Sequence, residues 1–288
     1  MTDNYINFRR QRELGDIITD TFKFIRENYK LLFKLIFQIA GPVFAVLVLC
    51  MGYYYYLAGG ATFFENFDGN IGLFMISLIL LLLSFIAFFV LLQATVFHFI
   101  KSYVDNAGKV NPLQVKTGAK TDFLKILGVN IMAWLLVVLG MVMCVIPGIY
   151  LWVPLTFAVP LVVFGRKGSL DAIGDAFDLI KDNWWMTFLS LIVMGILMYL
   201  VALIFQMPMI LYMFVKAFTI ASEGSTADPT QLFDWVYVVL SVISSLAQYL
   251  LYTIFMIAIA FIYYHLYEKK NATGSFETIS NLGTSDID

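Results

Sequence analysis

The sequence predicts an all-α, polytopic membrane protein with six transmembrane helices, amphipathic interfacial helices and an internal parallel repeat. Three observations carry this fold class. Hydrophobic residues fill 61% of the 288 positions and charged ones only 13%, about half the charged share of a soluble domain. Six apolar runs each have the roughly 20 residues that a helix needs to cross a hydrocarbon core, and runs this continuous satisfy their backbone in lipid only as helices. Finally, a stretch near the N-terminus returns in the middle of the chain.

Taken in order, the chain opens with "DIITDTFKFIRENYK", residues 16–30, where polar and apolar residues recur at helical spacing. The first span follows over about 31–57, interrupted at Gly41-Pro42, and the second over 71–100. "NPLQVKTGAKTDFLKILGVN" puts a short polar helix before the third span, about 123–145. Pro147-Gly148 reads as a tight turn into the fourth span, 149–165, which carries Pro154 and Pro160. "DAIGDAFDLIKDNWW" is a second amphipathic helix. Asp171, Asp175, Asp178 and Asp182 form one stripe and Leu170, Ile173, Phe177, Ile180 and Trp184 another. The fifth span, 185–216, contains Pro208, and the sixth covers 232–266. The polar, acidic tail over 271–288 is expected to be disordered.

Charge gives the orientation. Of the 18 Lys and Arg, all but Lys216 precede or open the first span, lie between the second and third spans or at the start of the third, lie between the fourth and fifth, or follow the sixth. The opposite side holds Glu65 and Asp68 in loop 58–70, Glu223 and Asp228 in loop 217–231, and Asp234 just beyond it. The positive-inside rule then places both termini in the cytoplasm of a bacterial inner membrane, the chain being multi-pass. No cleavable signal is visible, so the first span is expected to stay in the mature protein.

Displacing residues 16–33 by 155 positions pairs Asp16 with Asp171, Ile18 with Ile173, Asp20 with Asp175, Phe22 with Phe177, Ile25 with Ile180, Asn28 with Asn183 and Phe33 with Phe188, with Tyr29 facing Trp184. The expected organisation is one membrane domain over 1–270, built of units at about 12–104, 105–166 and 167–268, the middle one matching in layout alone. In each outer unit the amphipathic helix lies at the inner interface, Asn28 and Asn183 capping the span that follows and Tyr29 and Trp184 resting at headgroup level.

The acidic stripe is the one feature that points to an interaction. A helix made to bind anionic lipid would be rich in Lys and Arg, whereas these four aspartates repel it. They suit water, the basic segment of Lys109, Lys116, Lys120 and Lys125, or a basic partner protein. No phosphate loop, metal-binding helix motif or Cys pair is present, and the two histidines, His98 and His265, each sit at a span end. Neither an enzymatic activity, a cofactor, a metal nor a nucleic-acid partner is expected. The spans hold neutral polar groups such as Gln38, Gln93, Asn130, Gln206 and Gln248 where an ion-coupled pump would carry charge. Pro42, Pro147, Pro154, Pro160 and Pro208 are candidate helix breaks that would line a cavity in a passive or lipid-related transporter.

"RELGDIITDTFKFIRENYKLLF" together with "CVIPGIYLWVPLTFAVPLVVFGRKGSLDAIGDAFDLIKDNWW" resembles the bacterial membrane-protein group that includes the YciC-like proteins and the membrane domain attached to glycerophosphodiester phosphodiesterases. The resemblance covers residues 10–268. It implies a six-helix inner-membrane domain whose phosphodiesterase chemistry, where present, resides in a separate soluble domain. Only the short tail follows the last span here, so that activity is not expected to transfer. The expected function is a non-enzymatic scaffold or accessory subunit whose partners are the bilayer and other membrane proteins.

Overall fold

The computed structural model describes residues 5–58, 71–222 and 234–271. Nine α-helices are found among the described residues, with no strand: α1 (Leu14–Ile39), α2 (Gly41–Ala58), α3 (Ile71–Asp105), α4 (Pro112–Met143), α5 (Val145–Leu155), α6 (Ala158–Val163), α7 (Ser169–Ile180), α8 (Trp184–Ser222) and α9 (Trp235–Asn271). Five stretches are long and apolar enough to cross a membrane, and a sixth is counted if α1 and α2 make one broken span. The chain is an all-α polytopic membrane protein. Most of loops 58–70 and 217–231, with Glu65, Asp68, Glu223 and Asp228, and the tail beyond Asn271 lie outside the described residues.

The helix ends follow from local chemistry. α1 stops at Ile39 because Pro42 has no N–H for the Gln38 carbonyl, and in the first turn of α2 that missing donor costs nothing. α4 starts at Asn111, whose side-chain oxygen accepts from the backbone N–H of Leu113 at 3.0 Å and of Gln114 at 3.4 Å, with Pro112 in the first turn. The turn out of α4 lies at Cys144, the single extended residue before α5, and not at Pro147-Gly148. Pro147 sits in the first turn of α5, where proline is tolerated. Gly148 serves close packing instead. A Cβ there would stand 2.9 Å from the Met141 backbone nitrogen, and one on Gly140 would stand 3.0 Å from the Gly148 Cα. The two glycines let α4 and α5 meet backbone to backbone.

Of the other prolines, Pro154 ends α5 and Pro160 opens α6, flanking the break at Thr156-Phe157. Pro208 breaks nothing, since α8 runs through it. The carbonyl deprived by Pro154 is that of Tyr150, and the Trp184 indole N–H donates to it at 3.3 Å while the two rings stack at 5.4 Å. The break is thereby closed from within the chain.

The chain divides into two compact units. One gathers Met1–Ile39, Val90–Ile196 and Thr253–Asp288, the other Ala40–Phe89 and Leu197–Tyr252. The first unit holds every Lys and Arg except Lys216. Its core is aromatic: Phe8 stacks on Phe261 at 4.2 Å and meets Phe24 edge-on at 5.3 Å, while Tyr103 lies 5.0 Å from Phe24. Phe8 precedes the first helix yet is fully buried, and Ile6, whose N–H donates to the Tyr103 hydroxyl at 3.0 Å, is buried beside it in sequence. α7 packs on α4, α5 and α6 in the same unit.

In the second unit Phe44, Phe88 and Tyr249 form a ring cluster with centroids 4.8–5.7 Å apart. Its lone cation, Lys216, pairs with Asp234, which also accepts from the Tyr212 hydroxyl. That pairing offsets the one basic residue that departs from the charge asymmetry.

Candidate functional site

The first unit assembles three paired aspartates, one on each polar helix that leads into an apolar stretch. On α1, Asp20 accepts from Arg12 Nε at 2.9 Å and from Arg10 at 2.8 Å. Arg12 has a fully buried side chain. Its other nitrogens donate to the carbonyls of Phe8 and Asn7, and its guanidinium lies 4.7 Å above the Phe261 ring. Its backbone N–H donates to His265 Nδ1 at 2.9 Å. Burial pulls the Arg12 pKa down, partly opposed by the bond to Asp20. Burial pushes the Asp20 carboxyl up, but hydrogen bonds from Arg12 and Arg10 outweigh it and hold the group below its ordinary value.

On α7, Asp175 pairs at 2.8 Å with the Nζ of Lys167, which precedes the helix, and this pairing raises the lysine pKa. Lys167 lies at the same displacement from Arg12 as Asp175 does from Asp20. The two leading helices share their buried positions too: Ile17, Thr21 and Phe24 on α1 match Ala172, Ala176 and Leu179 on α7, all buried. The residues that are identical between the two stretches lie mainly off that face, Asp16 and Asp171 being exposed and Ile18 and Ile173 half-buried.

The third pair is on α4. Asp122 faces His98 Nε2 at 3.1 Å, an ion-pair distance out of line for a hydrogen bond, and Lys125 Nζ at 3.1 Å. His98 occupies the space left by Gly118, where a Cβ would fall 2.3 Å from Nδ1. His98 and His265 thus have separate partners, and among the described residues no three His, Cys, Asp or Glu gather as metal ligands would.

Asp16 is exposed in the first turn of α1 and accepts from Glu13 N–H at 3.4 Å. Asn28 caps nothing: it lies inside α1 and its side chain donates back to the Phe24 carbonyl at 3.0 Å, because nothing near it breaks the helix. Asn183 ends the 3-10 turn before α8 and accepts from Lys269 at 2.6 Å. Trp184 opens α8 and binds the Tyr150 carbonyl.

Asp171, Asp178 and Asp182 are exposed, and the Asp178 carbonyl accepts from Lys270 at 3.2 Å. Among the described residues Lys109, Lys116, Lys120 and Lys125 make no ion pair with the stripe, Lys125 being engaged by Asp122. The expected apolar stripe of α7 is rotated. Ala172, Ala176, Leu179 and Ile180 are buried, whereas Leu170 is 73% exposed. Ala172 and Ala176 allow close approach to the neighbouring helices, with Leu179 and Ile180 packed on the same side.

Arg12, Lys167, Phe8, Gly118 and Asp122 were not legible as functional positions in the sequence, although Arg12 and Lys167 obey the same displacement as the other matches. Comparison with family models, curated proteins and solved structures finds no match to this chain.

Proposed function

We propose that the protein is a non-enzymatic scaffold or accessory subunit of a larger assembly in the bacterial inner membrane, with both termini cytoplasmic and α7 as its contact face. The observation that carries this reading is the acidic face of α7. Asp171, Asp178 and Asp182 are exposed, and no Lys or Arg among the described residues forms an ion pair with them. Such a face repels anionic lipid and attracts a basic protein surface.

Polar groups inside the first unit are meanwhile bonded to other parts of the chain. Gln93 accepts from Asn130 at 2.7 Å, and Lys101 donates to the Val163 carbonyl at the end of α6. Interhelical bonds of this kind fix helices against one another in lipid. The carbonyl freed by Pro154 is taken by Trp184, so the observations lend less support to a passive or lipid-related transporter built on proline breaks. Membership of the YciC-like group belongs to the same proposal and rests on two motifs, one leading into the first apolar run and one that contains the fourth and the helix after it.

The test is copurification from native membranes in mild detergent, comparing the wild type with Asp171→Asn/Asp178→Asn/Asp182→Asn across a salt series. The expected result is a set of basic membrane proteins retained at low salt by the wild type alone. Equal retention by both at every salt concentration would remove the basis for the reading.

A further inference from the structure

The exposed side of α1 carries a pattern opposite in sign to that of α7. Lys23, Arg26, Lys30 and Lys34 follow one another at three- and four-residue intervals and so share one face. Arg26, Lys30 and Lys34 are exposed and Lys23 is half-buried. A row of aromatic residues runs beside them: Phe22 is 44% exposed, Tyr29 46% and Phe37 62%. The Lys30 ammonium lies 5.9 Å from the Tyr29 ring centroid. The buried stripe of Ile17, Phe24, Leu32 and Leu35 occupies the opposite side. Among the described residues none of the four cations forms an ion pair, while Asp20, on the flank of the same helix, is held by Arg10 and Arg12.

The fold does not require these cations. At the positions displaced by 155 the chain reads Asp178, Lys181, Trp185 and Leu189, although buried Ile17, Thr21 and Phe24 coincide with buried Ala172, Ala176 and Leu179. The basic row is therefore a property of α1 alone.

We propose that this face of α1 binds the phosphate headgroups of anionic phospholipids, with the aromatic row at the acyl boundary and the four cations reaching the phosphates. Aromatic rings favour the headgroup level. Lys and Arg extend apolar stems along such a surface while keeping the charge in the polar layer. A helix with a basic face beside an aromatic one is the pattern that seats in an anionic interface. An acidic protein would need the cations only; the adjoining aromatic row is what selects a bilayer.

The experiment uses the full chain purified in mild detergent, titrated with phosphatidylglycerol or phosphatidylcholine, with bound lipid counted by native mass spectrometry at low and high salt. The variant is Lys23→Gln/Arg26→Gln/Lys30→Gln/Lys34→Gln. The control, Lys109→Gln/Lys116→Gln/Lys120→Gln/Lys181→Gln, removes equal charge elsewhere. The wild type and control are expected to retain phosphatidylglycerol over phosphatidylcholine in a salt-sensitive manner, and the variant to lose affinity by about fivefold per cation removed. If the fourfold variant fails to fold, Lys30→Gln/Lys34→Gln carries the test with a proportionally smaller loss. Unchanged retention by the variant, an equal loss by the control, or an equal loss of phosphatidylcholine would overturn the proposal, as would capture of an acidic protein in place of lipid.

Discussion

Arg12 reaches the Asp20 carboxylate at 2.9 Å from eight positions upstream, and Lys167 reaches Asp175 at 2.8 Å from the same separation. The two clasps differ in environment. The Arg12 side chain is fully buried, while that of Lys167 is 48% exposed.

That difference predicts unequal effects. Arg12→Met leaves the Phe8 and Asn7 carbonyls without their donor and Asp20 without its inner partner, and breaking a buried pair from one side costs roughly 3–5 kcal/mol. Thermal melting in detergent should show a large loss for Arg12→Met and almost none for Lys167→Gln, whose charge is screened by solvent. The pH dependence follows from Asp20. Its folded pKa lies below the unfolded one, so its contribution is complete above the ordinary carboxyl range and fades as pH falls through the folded value. Arg12→Met should flatten that acid limb. Equal melting of the two variants would show that burial of the clasp does not matter.

His98 and Gly118 give a second prediction. A methyl group at position 118 would overlap the imidazole, so Gly118→Ala should destabilise by about 1–3 kcal/mol. Replacing His98 by Ala in the same chain should restore part of the loss, because the two changes act on one contact. Additive losses in the double variant would mean that the glycine is needed for another reason.

These contacts mark the limit of what was legible in the sequence. The apolar runs and the helices that lead into them were readable because lipid imposes length and composition on any span. The division of α7 into faces was legible only in part: Ile180 is buried as its spacing suggests, but Leu170 faces outward, Ile173 and Phe177 are half-buried, and Ala172 and Ala176, too small to signal a core, pack inward. The continuity of α1 through Asn28 was hidden for a similar reason: an asparagine is tolerated inside a helix when its side chain bonds back to the preceding turn, and the real break waits for Gly41-Pro42. Burial of Phe8 and Arg12 could not be read at all. "NFRRQREL" has no periodicity, and only the tertiary fold brings Phe261 and His265 to it.

The orientation is open to a direct test. In a background with Cys50 and Cys144 changed to Ala, Asp68→Cys should react with an impermeant maleimide added outside intact cells, and Asp105→Cys, at the end of α3, should not. The reverse pattern would invert the charge-based topology and place α7 on the other side.

Whether α7 meets a basic protein can be read from a photoactivatable crosslinking residue placed at Asp178 in native membranes, with Leu170 as a reference position on the same helix. A discrete protein adduct is expected from position 178, with a partner peptide rich in Lys and Arg. It should weaken as salt rises and be lost with Asp171→Asn/Asp182→Asn. Adducts with lipid or water alone at position 178, under conditions where position 170 reacts efficiently, would contradict it.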